Sequence, residues 1–231
     1  MITVIHKANT RGHANHGWLD THHTFSFANY WDPERVHFGN LRVLNDDIIA
    51  AGTGFGKHPH DNMEIITVPI TGKVLHQDSM GHTQTIGVNE VQVMSAGTGI
   101  FHSEYNASET DDLSLLQIWI LPEKRNIKPV YNQLLFDSEM AQNRWQILVD
   151  DENGPLKINQ HAVISRIFLD KGKEVSYSLK RGSERSYLFV IEGSVEMDGV
   201  KFDARDGVGL EETNEFKMKA LTKALVLNIE L

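Results

Sequence analysis

Gly56-Lys57-His58-Pro59-His60-Asp61-Asn62-Met63-Glu64, answered later by His102-Ser103-Glu104-Tyr105-Asn106, are the two stretches on which the reading of the chain turns. Each carries two potential metal ligands at spacing i, i+2. On a strand, side chains alternate between faces, so such a pair points the same way about 6.5 Å apart. Two pairs on facing strands would aim His58, His60, His102 and Glu104 at one point. Three imidazoles and a carboxylate suit Fe, Mn, Co, Ni, Cu or Zn.

The flanking residues fit ligand-bearing strands. Gly52 and Gly56 allow tight turning before the first pair, and Gly97 and Gly99 precede the second. Pro59 donates no ladder hydrogen bond, which predicts a bulge or an edge strand there. Glu64, four residues after His60, is a competing carboxylate. It could replace Glu104, but a supporting or structural place fits it better. Met94, Phe101 and Met63 are candidates for an apolar wall beside the site.

Outward from these stretches, short apolar runs broken by glycine turns recur near every ten residues: Leu41–Leu44, Met63–Val68, Lys73–His76, Glu90–Met94 and Leu113–Ile120. That rhythm predicts an antiparallel sandwich or barrel. Thr24 to Trp31 alternates polar and aromatic residues and predicts a further strand. Ser79-Met80-Gly81 reads as a hairpin tip, with His76 and His82 beside it facing solvent. His13, His16, His22 and His23 read as loop histidines that pin the N-terminal arm. Phe136 to Ala141 suggests a short helix. The rhythm resumes at Ala162–Leu169, Glu174–Leu179, Ser186–Ile191 and Ala224–Leu231. Val190-Ile-Glu-Gly193-Ser-Val195 echoes Val68-Pro-Ile-Thr-Gly72-Lys-Val74, without a histidine pair before it. A duplicated barrel whose second copy lost its metal site explains the echo.

Composition excludes several chemistries. The chain has no cysteine, so disulfides, Fe–S clusters, thiolate zinc sites and a Cys nucleophile are out. A net charge of −9 argues against a nucleic-acid or anionic-membrane surface. Eleven of the 12 histidines precede residue 103, which confines imidazole chemistry to the first half. Neither a phosphate-binding loop nor a nucleophile elbow occurs. No apolar run reaches the roughly 20 residues of a membrane span. The N-terminus lacks signal-peptide character, so the expected compartment is the cytoplasm.

Gly52-x5-His58-x-His60-x3-Glu64, with Gly97…His102-x3-Asn106, resembles the two cupin motifs. Within cupins, Arg11-Gly-x4-Gly17-Trp-Leu-x3-His23-Thr-Phe-Ser-Phe-Ala-x-Tyr, His58-Pro-His60-x2-Met-Glu and Ala96-Gly-Thr-Gly-Ile-x-His102-Ser-Glu104 are similar to the pirin family. The likeness is dense over roughly the first 125 residues. Ser95 stands where many cupins have proline, and one extra residue separates Gly97 from His102, as in pirins.

The resemblance implies an all-β bicupin monomer: two antiparallel jelly-roll barrels packed together, a metal-binding domain over 1–125 and a degenerate one over 126–231. It implies one divalent metal, iron(II) first, held by His58, His60, His102 and Glu104, with Glu64 outside the ligand set. The activity implied is a dioxygenase opening the ring of quercetin-like flavonols with O2, Glu104 taking the substrate's proton. The alternative is a metal- or redox-sensing protein that regulates a protein partner.

Overall fold

The computed structural model describes residues 2–180 and 182–231, and its regular secondary structure is almost wholly β-strand. It divides into two compact units. One comprises Gly12–Phe136 with Leu156–Gln160; the other comprises the segment ending at Arg11, Asp137–Pro155 and His161–Leu231. The chain therefore divides otherwise than at residue 125: the opening strand, β1 (Ile2–His6), belongs with the C-terminal half.

The first unit holds β2 (Gly12–Asn15), β3 (Leu19–His23), β4 (Leu41–Ile49), β5 (Gly54–His60), β6 (Glu64–Thr71) and β7 (Lys73–Asp78). It continues with β8 (Thr83–Gly87), β9 (Glu90–Ser95), β10 (Ile100–Asn106), β11 (Leu113–Ile120) and β12 (Val130–Leu135). A seven-stranded sheet runs β12-β9-β6-β11-β4-β3-β2, and a four-stranded sheet runs β5-β10-β7-β8. Pairing within both is antiparallel. Apolar positions of the two sheets, among them Leu19, Ile49, Val74, Ile86, Leu113 and Leu115, close one core cluster.

Thr24 to Trp31 forms no strand. Phe27 and Tyr30 exchange two backbone hydrogen bonds of 3.0 and 2.9 Å around Ala28, whose φ is +49°. The two-residue alternation reflects a tight turn with inward aromatics, and it brings Phe27 to the site described below.

The second unit adds β13 (Gln146–Asp150), β14 (Val163–Leu169), β15 (Glu174–Ser178), β16 (Arg185–Glu192), β17 (Ser194–Met197), β18 (Val200–Asp203), β19 (Gly207–Glu211), β20 (Glu215–Ala220) and β21 (Ala224–Glu230). Its sheets run β1-β19-β16-β21-β14-β13 and β15-β20-β17-β18. The second order repeats β5-β10-β7-β8 strand for strand. Where β5 and β10 carry histidines, β15 and β20 face inward with Val175, Tyr177, Phe216 and Met218, which pack into the apolar core. The short helix near residue 136 is a 3-10 turn, Ser138–Ala141, capped by the Asp137 carboxylate accepting from Glu139 N–H.

Candidate metal centre

The burial of β10 alternates. Ile100, His102, Glu104 and Asn106 face inward, while Phe101 and Tyr105 face out. Its neighbour β5 is the edge strand of the small sheet, so Pro59 deprives no partner of a hydrogen bond. His102 lies opposite His58, but Glu104 lies opposite Phe55, so β5 carries one extra residue between the two pairings. This bulge sits at Gly56-Lys57. The strands approach so closely that a Cβ on Gly54 would lie 2.3 Å from the Glu104 carbonyl oxygen. Gly54 therefore carries the steric demand in this strand, rather than Gly56, whose Cβ would meet nothing closer than 4.0 Å. Before β10, Gly97 has φ +49° and abuts the Ile127 carbonyl, as a glycine turn requires.

This geometry brings His58, His60 and His102 together, with one ring nitrogen of each within 4.8 Å of the others. Glu104 joins through His102, in an overlapping group of the same spread with His76. His58 Nδ1–H donates to the Gly56 carbonyl at 2.8 Å, leaving Nε2 available. Glu104 is buried and accepts hydrogen bonds from Gln117 Nε2 at 2.7 Å and Thr67 Oγ1 at 3.2 Å. Gln92 Nε2 in turn donates to Thr67.

Burial, followed by the charge of His58, lowers His60 to about 4. Burial and the surrounding imidazoles of His58, His60 and His76 hold His102 well below the usual histidine range. Burial raises Glu104, against the pull of Gln117, His58 and Thr67. Neutral imidazoles are the form that binds metal, and a cation would reverse the cost of ionising the buried carboxylate.

Both ring nitrogens of His102 are buried without a hydrogen-bond partner among the described residues. An unmet polar group of this kind costs about 1–3 kcal/mol. A cation beside His102 removes that cost for the facing nitrogen, and the donor set suits a single divalent metal.

Glu64 lies on β6 of the large sheet, fully buried, and burial raises its pKa. Its carboxylate accepts from Ser95 Oγ at 2.5 Å and from Asn159 N–H at 3.0 Å. It thus ties residues 156–160 to their unit, helped by Gln160 Nε2 donating to the Leu121 carbonyl at 2.7 Å.

His76 does not face solvent. It is fully buried opposite Glu104, with its ring 5.3 Å from that of His102. Asp78 accepts from His82 Nδ1 at 2.8 Å and lies 3.4 Å from His76 Nε2. Tyr131 stacks against both histidine rings. The signal was present in the sequence: His76-x-Asp78 is an i, i+2 pair that shares its face with the apolar Val74.

A cavity of about 180 Å³ is lined by His58, His60, His102 and Glu104 from the small sheet. Asn45, Asp47, Ile65, Gln117 and Trp119 line it from the large sheet, with Phe27 and Phe55 completing the wall. Met94 and Met63 instead pack in a core cluster with Ile65 and Ile100, and Phe101 points outward, 48% exposed. Burial lifts the Asp47 carboxyl to about 7, although Thr21 Oγ1 donates to it. A second cavity of about 310 Å³, reached by His16, Trp18 and Thr21, shares Phe27, Asn45, Asp47 and Phe55 with the first. Asn45, Asp47 and Gln117 went unread because polar residues within apolar strands show their purpose only once the facing strand is known. Of the hairpin histidines, His23 is buried with Nδ1 2.9 Å from Asn45 Oδ1, whereas His13 and His22 meet Asp20 on the other face. Among the described residues no helix is long and apolar enough to cross a membrane.

The profile of the Pirin family matches residues 4–120, and that of the Quercetinase C-terminal cupin domain matches residues 148–231. Over 231 residues the chain is 46% identical to the quercetin 2,3-dioxygenase of Escherichia coli strain K12, covering 100% of this chain and 99% of that protein. The crystal structure of YhhW from Escherichia coli superposes with a TM-score of 0.94 at 45% identity, covering 100% of this chain and 97% of that one. The bacterial pirin YhhW in complex with nickel(II), from the same organism, superposes with a TM-score of 0.93 at 44% identity, covering 100% and 99%. Likeness of this depth runs through both units and is not confined to the histidine motifs, so the chain belongs to the pirin family.

Proposed function

We propose that this chain is a metal-dependent dioxygenase that opens the ring of quercetin-like flavonols with O2. In this reading His58, His60, His102 and Glu104 hold one divalent metal, iron(II) first. The observation that carries it is the pair of unmet His102 ring nitrogens, set among the other three donors at an aromatic-walled cavity. The relatives named quercetin 2,3-dioxygenase support the substrate class.

When held by these residues, the metal would supply a Lewis acid for the flavonol oxygen. Glu104 accepts the proton of the flavonol 3-hydroxyl. Its burial raises its proton affinity, and Gln117 and Thr67 hold its two oxygens in place. Phe27, Phe55, Ile65 and Trp119 exclude water and flank the planar rings. Asp47, raised to about 7, holds its proton in part at neutrality, and that protonated fraction donates a hydrogen bond to a substrate oxygen.

The test is oxygen uptake and ring-opened product from quercetin with iron(II)-loaded protein. Absence of turnover with the metal demonstrably bound overturns the reading in favour of a metal-responsive binding protein.

A further inference from the structure

A second set of metal-capable side chains lies outside the cavity, on the β2–β3 hairpin. His13 and His22 are direct cross-strand partners, and their rings stack with centroids 4.4 Å apart. Asp20 precedes His22 by two residues and so shares its face. Its Oδ1 lies 2.8 Å from His13 Nε2 and 3.9 Å from His22 Nδ1. One donor atom from each of the three lies within 4.8 Å of the other two.

The carboxylate is held in place from the far side. Asn15, the cross-strand partner of Asp20, donates Nδ2 to Asp20 Oδ2 at 3.2 Å, and its own Oδ1 accepts from Gly17 N–H at 2.8 Å. The inner face of the same hairpin is spent on the cavity, where Thr21 donates to Asp47 and His23 meets Asn45. The outer set is therefore separate from the cavity. Asp46 lies opposite His22 on β4 and adds a further acidic residue to the same face.

We infer that His13, Asp20 and His22 form a second binding site for a divalent cation of the zinc, nickel or copper type, on the outer face of the seven-stranded sheet. Ligand lengths near 2.0–2.2 Å in a tetrahedron place donor atoms about 3.3 Å apart. The observed 2.8 and 3.9 Å bracket that spacing, and the His13–His22 separation lies within 4.8 Å, so shifts of about one to two ångströms close the site. Two imidazoles among three donors select these metals over calcium or magnesium, which take oxygen ligands. The His13, Asp20 and His22 side chains are 51%, 35% and 37% exposed, which leaves room for water to complete the coordination. The site does not depend on the cavity or on its chemistry.

The experiment uses full-length protein already loaded at the cavity, titrated with zinc(II) alone and followed by calorimetry, elemental analysis and NMR of the histidine ring protons. The expected result is one further zinc per chain, beyond any exchanged into the cavity, with the ring signals of His13 and His22 shifting. His13→Ala and His22→Ala each weaken that binding at least tenfold, and Asp20→Asn weakens it as well. All three variants keep the cavity metal and the melting temperature of the parent. Uptake of no further zinc by the parent protein overturns the inference. So does undiminished uptake by both histidine variants.

Discussion

His102 and His58 stand directly opposite each other on β10 and β5, with ring centroids 4.4 Å apart. Neither strand alone makes the site. The bulge in β5 and the inward alternation of β10 bring His58, His60 and His102 of the two i, i+2 pairs together, with Glu104 grouped with His102.

Removal of single donors separates ligands from supports. His58→Ala, His102→Ala and Glu104→Ala are each expected to lower bound metal to well under half an equivalent by elemental analysis. Glu64→Gln is expected to retain most of it. The reverse pattern for the two glutamates would show that the carboxylate has been assigned to the wrong residue.

Glu64 carries structure instead. Glu64→Ala leaves Ser95 Oγ and Asn159 N–H without their shared acceptor, a loss of about 2 kcal/mol in urea denaturation. Segment 156–160 should then exchange its amides faster.

Gly54 allows the backbones of β5 and β10 to approach. A methyl group there meets the Glu104 carbonyl oxygen at 2.3 Å and Tyr105 Cα at 2.4 Å, both atoms of the main chain. Gly54→Ala is expected to cost about 3 kcal/mol of stability and to lower metal content, because His58 and His102 move apart. Full metal occupancy with unchanged stability would contradict the tight approach.

Asp47 sets a pH dependence in metal-free protein. Its carboxyl is raised from 3.8 to about 7 by burial. Between those values the folded chain keeps a proton that the unfolded chain has released, so this group's stabilising contribution is lost as pH rises toward 7. The full loss is up to about 4 kcal/mol, at about 1.4 per pH unit. Asp47→Asn has no proton to release. Its stability relative to the parent should therefore improve from pH 4 to pH 7.5, measured by denaturation at each pH.

Trp119 packs edge-on to Phe27 at 5.4 Å and to His60 at 4.9 Å. Trp119→Leu keeps apolar volume but loses the flat ring. About a fivefold fall in kcat/KM for a flavonol is expected with metal content unchanged, since aromatic contacts of this kind contribute about 1 kcal/mol. An equal fall in metal content would mean that the ring supports His60 instead of the substrate.

Much of this molecule was written locally. Period-two alternation identified most strands and both donor pairs, because a strand's faces follow from the chain itself. Gly72 and Gly193, with φ +75° and +78°, stand at matching corners where β6 passes to β7 and β16 to β17, and so they betrayed the repeated sheet order. What alternation leaves open is which face becomes interior and which distant strand lies opposite. Those choices belong to long-range pairing. Pairing buried His76 against Glu104, joined β1 to β19, and drew Phe27 and Trp119 to the cavity in place of Met94 and Phe101. It likewise set His13 across from His22 beside Asp20, residues that looked like scattered loop positions until the hairpin register was known.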